Sequence, residues 1–208
     1  RHTRYPLVTG VQTCALPIYL WEHTLRYNDD SWQAHNRLGT WKLNRGDVEG
    51  AYYHYRKSSR LRPDLGETKN NLGVVLMKKG RVNEAIKAYE EAMRASPNII
   101  QIPFNLADTY FQVGRYKDAL ELYEKLLQAR PNDTLLLHRQ ALTFFKNGEK
   151  ERAIAGFRQV LELDPAFKEA EESLKVALGS GETPKAEAKQ DDNAGLPAQE
   201  PEQRPSPQ

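Results

Sequence analysis

Cysteine is nearly absent: the 208 residues hold Cys14 alone, so no internal disulfide framework can form. No stretch approaches the ~18–20 consecutive apolar residues that a membrane span needs. Neither sign of charge dominates, and a net charge of +2 is too small to suggest nucleic acid as a partner. Metal-ligand spacing is missing as well. None of His2, His23, His35, His54 and His138 has a ligand partner three or four residues on, the spacing a helical zinc site uses. No phosphate loop, nucleophile elbow or zinc motif occurs. These gaps leave no catalytic residue, metal or cofactor to assign, and the expectation is a protein that is not an enzyme.

What is present is a repeat. Prolines fall at Pro63, Pro97, Pro131 and Pro165, and alanines at Ala51, Ala85, Ala119 and Ala153, each column spaced by 34 residues. Gly46, Gly80, Gly114 and Gly148 share that period, as do the aromatics Tyr55, Tyr89, Tyr123 and Phe157. Each column has a physical task. The glycines lie between two helical patterns, where a left-handed C-cap conformation is needed. Each alanine lies four residues before an aromatic, so both share one face of a second helix. A small side chain there lets the first helix approach, and the ring fills the space beside it. Gly39, Gly73, Ala107 and Ala141 form a further small column in the first helix. Proline ends the second helix, because it cannot continue one.

These residues resemble the tetratricopeptide repeat (TPR), whose period is 34 residues. Its L-G…A-x3-F…P pattern is matched by Leu38-Gly39…Ala51…Tyr55…Pro63 and by Leu72-Gly73…Ala85…Tyr89…Pro97. It is matched again by Leu106-Ala107…Tyr110…Ala119…Tyr123…Pro131, and by Gln140-Ala141…Phe144…Ala153…Phe157…Pro165 with Gln140 in place of Leu. The tryptophan that opens the family pattern is replaced throughout, by His35, Lys69, Pro103 and Leu137. The resemblance implies an all-α fold, a solenoid of antiparallel helix pairs wound into a right-handed superhelix. Repeats are expected at 32–65, 66–99, 100–133 and 134–167, with the first helix of the third beginning near Ile102. Asn132-Asp133-Thr134 matches a glycosylation sequon, but reads better as the N-cap of the first helix of repeat 4.

The flanks read differently. Val8-Thr-Gly-Val-Gln-Thr-Cys-Ala-Leu-Pro-Ile18 resembles, over eleven consecutive residues, the translation of a short-read sequencing adapter. Residues 1–18 are therefore expected to be non-native and to pack with nothing. A signal peptide fits poorly, because Thr9, Gly10, Gln12 and Thr13 interrupt the apolar run. Residues 19–31 look like a truncated half repeat, with Trp21 in the aromatic column and Asp29 in the proline column. Residues 168–178 read as a capping helix, which solenoids require. Residues 179–208 hold five prolines and almost no large apolar side chain, and read as a disordered tail.

In TPR proteins the first helices line a concave groove, and the 34-residue period stacks corresponding residues into ladders along it. One ladder is Arg37, Asn71, Asn105, Arg139; the next is Asn36, Asn70, Phe104, His138; a third is Thr40, Val74, Asp108, Leu142. An asparagine amide both donates to and accepts from a peptide unit, so Asn71 and Asn105, expected to be exposed, could grip an extended backbone. They match the asparagine ladder of arrays resembling those of O-GlcNAc transferases. The family's dicarboxylate clamp is not matched, since Asn36, Thr40 and Gln101 stand where it uses Lys, Asn and Lys. The expected function is a protein-interaction scaffold holding a peptide or partner helix. An alternative comes from the stretch Leu20-Trp21-Glu22-His23-Thr24-Leu25 through His35. It resembles the first repeat after the last membrane span of multi-pass TPR proteins related to protein O-mannosyltransferases. That resemblance implies an extracytoplasmic regulatory or substrate-binding array of a larger membrane glycosyltransferase-like protein.

Overall fold

The structure, a computed structural model, describes residues 15–179, with side chains from Ile18 onward. Ten helices and no strand occur among the described residues: α1 (Ala15–Tyr27), α2 (Trp32–Asn44), α3 (Val48–Leu61), α4 (Gly66–Lys78), α5 (Val82–Ala95), α6 (Gln101–Gln112), α7 (Tyr116–Ala129), α8 (Thr134–Lys146), α9 (Lys150–Leu163) and α10 (Lys168–Leu178). Most of the 1–18 segment, Cys14 included, and residues 180–208 of the expected tail lie outside the described residues. Helix α1 nevertheless begins at Ala15 and carries Ile18 half-buried. The segment's last four residues therefore belong to a helix that touches α2. Pro17 falls in the first turn, where its missing N–H costs nothing.

The ends of the helices are fixed chemically. Ser31, Asp47 and Asp133 cap α2, α3 and α8, their side chains accepting from the N–H of Ala34, Gly50 and Leu136. Each satisfies a donor that the first turn leaves open. First helices close through a reciprocal pair of backbone bonds. In α4, Arg81 N–H donates to Leu76 O and Gly80 N–H to Met77 O, both at 2.9 Å. Such a closure needs a left-handed residue, and Gly46, Gly80, Gly114 and Gly148 adopt φ of 79°, 71°, 76° and 87°. Second helices end on a bond from the capping N–H back four residues, as from Arg62 to Ser58 O, immediately before each proline. Pro103 is the third residue of α6, which starts at Gln101, one residue earlier than the sequence suggested.

Helices of 11–14 residues are marginal alone, so packing holds them. Ala51, Ala85, Ala119 and Ala153 are fully buried, and Tyr55, Tyr89, Tyr123 and Phe157 nearly so. Each such ring contributes ~2–3 kcal/mol of burial. The ring lies on the small column of its own first helix: a Cβ at Gly73 would stand 2.6 Å from Tyr89 Cε1. Helix α10 covers the far end, burying Ala170 and Ala177. At the place of Gly39, Gly73, Ala107 and Ala141 it carries Lys175, paired with Glu171.

Candidate functional site

Successive first helices touch, α2 with α4, α4 with α6 and α8 with α10, whereas no two second helices make a contact of that extent. The first helices therefore line the inner side of the stack. The expected groove residues divide by burial. Asn36, Asn70 and His138 are buried, at 6%, 8% and 7% exposure. Asn71, Val74, Phe104, Asn105, Asp108, Arg139 and Leu142 are half-buried, and Arg37 is exposed.

Asparagine amides are spent mainly within the protein. Asn36 Nδ2 donates to Glu67 Oε1 at 2.9 Å, and its Oδ1 accepts from Asn71 Nδ2 at 3.0 Å. Asn70 Oδ1 accepts from Asn105 Nδ2 at 2.9 Å, and Asn105 Oδ1 accepts from Gln101 Nε2 at 2.8 Å. The sequence suggested that Asn71 and Asn105 are exposed and free. Instead both are half-buried and donate to the repeat before them. The partners stand 35 residues apart, one more than the period, because neighbouring first helices are offset. His138 continues the pattern with Ser173 at 3.2 Å, again 35 residues on. Ser173 Oγ–H donates to Glu169 O, so the His138 Nε2–H is the donor to Ser173.

The same offset joins Phe104 to Arg139, and there the pattern breaks. Phenylalanine offers no acceptor. Arg139 Nε is buried without a partner, the one such side-chain atom among the described residues. The guanidinium reaches sideways instead, with Nη2 3.8 Å from Asp108 Oδ2. Asp108 also accepts a hydrogen bond from Tyr123 Oη. Burial raises the Asp108 carboxyl above its ordinary range, against the opposing pull of Arg139 and Tyr123. Phe104 meets the Tyr123 ring edge-on at 6.4 Å.

A second column explains the tyrosines. The residue fifteen before each ring is Thr40, Val74, Asp108 or Leu142. Tyr55 Oη donates to Thr40 Oγ1 at 3.0 Å and Tyr123 Oη to Asp108. Tyr89 has Val74 at that place in the sequence and makes no hydrogen bond among the described residues, while Phe157, with Leu142 at that place, has no hydroxyl to satisfy. Burial raises Tyr55 to about 12 and raises Tyr89 and Tyr123 as well, so all three remain protonated donors.

Sequence reasoning missed Glu67, Gln101 and Tyr123, although the ladder's period and the ring's reach contained the signal. It also missed a pair that no helical spacing suggests. His35, 1% exposed, and His54 share a proton between their Nδ1 atoms at 2.9 Å. His35 Nε2 stands 3.0 Å from Asp29 O, which accepts only. His35 therefore donates from Nε2 and accepts on Nδ1 from His54. Desolvation, then electrostatic coupling to the neighbouring His35 ring, lowers His54 to about 4. Among the described residues no cluster of His, Cys, Asp and Glu is arranged to hold a metal ion, and no helix is long and apolar enough to cross a membrane.

Residues 64–132 match a family model described as tetratricopeptide repeat, and residues 104–166 match a second with the same description. A comparison with curated proteins gives no match. Solved structures share the fold. MamA superposes with a TM-score of 0.68 at 19% identity, covering 80% of this chain and 99% of that one. YrrB, described as a TPR protein with an unusual peptide-binding site, gives 0.66 at 19% identity over 76% of this chain and 82% of its own. The anaphase-promoting-complex hetero-tetramer Cut9–Hcn1 gives 0.69 at 21% identity over 79% of this chain and 33% of that chain.

Proposed function

This chain is built of tetratricopeptide repeats, and on that basis we propose that its first-helix face holds an extended segment of a partner protein, making it an interaction scaffold. The observation that carries this reading is one continuous row of half-exposed side chains. Asn71, Val74, Phe104, Asn105, Asp108, Arg139 and Leu142 follow one another across α4, α6 and α8, with Arg37 at the α2 end. They mix apolar surface with donors and acceptors, the combination a peptide groove uses. The half-buried row on the second helices, Ser59, Met93, Leu127 and Leu161, carries almost no donor or acceptor for a peptide backbone. YrrB, similar in fold, is described as binding peptide. Nothing in the repeat geometry favours the membrane-enzyme alternative.

A random dodecapeptide display library panned on the full chain tests the proposal. The tightest recovered peptide should slow amide exchange in α2, α4, α6 and α8. Protection confined to the second helices, or a library yielding no binder, would defeat it.

A further inference from the structure

Four positions along the inner face are joined to the next repeat by an offset of 35 residues. Three of the joints are hydrogen bonds: Asn36 to Asn71, Asn70 to Asn105 and His138 to Ser173. The fourth, Phe104 to Arg139, has a donor and no acceptor. The helices differ at the same place, since α6 and α8 approach each other less extensively than the other successive first helices do. Beside the broken joint, Arg139 and Asp108 stand 3.8 Å apart, beyond a hydrogen bond. Neither group is saturated by the other.

We propose that this α6–α8 gap is where the groove grips a ligand main chain, Arg139 donating to a peptide carbonyl and Asp108 accepting from a peptide N–H. The chemistry selects among ligands. A carboxylate would set a second anion against Asp108 for one guanidinium, and a cation would crowd Arg139 and leave its Nε unmatched; like charges at this range repel. An uncharged amide supplies one acceptor and one donor. One residue of an extended strand presents its N–H and C=O to the same side, as in a hydrogen-bonded antiparallel pair. A side-chain amide of Asn or Gln offers the same two groups. Arg139 Nε lies below the surface, so engagement needs a rotation of the guanidinium, which the long contact with Asp108 restrains weakly. Phe104 and Leu142 then floor the gap with apolar surface for the neighbouring ligand side chains. A buried donor without a partner is unfavourable in the free protein, and ligand binding relieves that cost.

The proposal rests on the first-helix face being the binding face, and the test separates the two claims. The probe is the tightest dodecapeptide recovered from the random library, synthesised with each main-chain N–H methylated in turn. One position should lose about tenfold or more in affinity on methylation, the loss of one hydrogen bond to a charged group. In the Asp108→Ala variant that methylation should cost nothing further. Arg139→Met removes the unpaired Nε donor together with the long ion pair to Asp108, so circular dichroism checks that its fold is kept, and it should weaken the unmethylated peptide by a similar factor. Affinity should change little between low and moderate salt, because no net charge is exchanged. If replacing an Asn or Gln of the peptide has the effect and methylation does not, the amide comes from a side chain and the main-chain assignment is wrong. A peptide that protects the first helices yet ignores Asp108 and Arg139 overturns this inference alone. A peptide that protects other surfaces overturns the groove and this inference with it.

Discussion

The tyrosine column makes a prediction with an internal control. Tyr55, Tyr89 and Tyr123 are all buried, and each loses the same atom on replacement by phenylalanine, so cavity and burial terms are matched. Only the partner of the hydroxyl differs. Tyr123 donates to the carboxylate of Asp108, and a hydrogen bond to a charged group is worth about 1.5–3 kcal/mol. Tyr55 donates to the hydroxyl of Thr40 at 3.0 Å, a neutral bond worth ~1 kcal/mol. Tyr89 has Val74 at the corresponding place and donates to nothing among the described residues, so its loss should stay within about 0.5 kcal/mol of zero. The expected order of destabilisation is Tyr123→Phe, then Tyr55→Phe, then Tyr89→Phe. Urea unfolding followed by circular dichroism reads it, with a common slope as the check that the unfolded states match. For a core of this size ~2 kcal/mol at Tyr123 corresponds to a fall of about 4–8 °C in melting temperature. Acid that protonates Asp108 turns its acceptor neutral and should bring the Tyr123→Phe loss down toward that of Tyr55→Phe. Equal losses at all three positions, or a Tyr89→Phe loss matching Tyr123→Phe, would refute the assignment of hydroxyl partners.

Stability should fall on mild acidification. His54 and His138 are held near 4, by burial first and then by electrostatic coupling to His35 and to Arg139 respectively, with Asp47 and Asp29 opposing at His54 and Glu169 at His138. The unfolded chain protonates them near 6.5, so between about pH 6.5 and 4 it binds more protons and gains. The effect has a ceiling of about 3 kcal/mol per histidine, less where the ring is partly exposed. A urea midpoint unchanged from pH 7 to 4.5 would count against it. The inter-repeat bonds can be weighed too: Asn36→Ala should cost about 1–2 kcal/mol for its two lost bonds, while the exposed neighbour Arg37→Ala stays within about 0.5. Comparable midpoints for the two variants would show that the asparagine bonds add nothing net.

The helices and their ends could be read from the chain because their causes are local. Gly80 must take a positive φ where α4 closes, and no other residue does so cheaply. Asp133 caps α8 because its side chain reaches only a few residues ahead. Helix α10 spans Lys168–Leu178. The inner face was less legible. Its residues repeat at 34, but its bonds run at 35, and that extra residue comes from how one helix pair sits on the next. The sequence put Asn71 in a ladder with Asn105; the structure bonds each to the other ladder. His35 and His54 meet because a second helix folds back on its first, which fixes no recognisable spacing. Asp108 and Arg139 look like two unrelated groove charges in the sequence, because their approach depends on how α8 sits beside α6.

Lys175 gives the array a direction. Along α2, α4, α6 and α8 a glycine or alanine receives the ring of the following second helix; on α10 a lysine held by Glu171 occupies that seat. A further second helix would have to stack its aromatic on a charged stem, which is a poorer seat than glycine or alanine. Duplication of a repeat can lengthen the protein inside the stack, because each unit brings both its ring and the small seat that receives it.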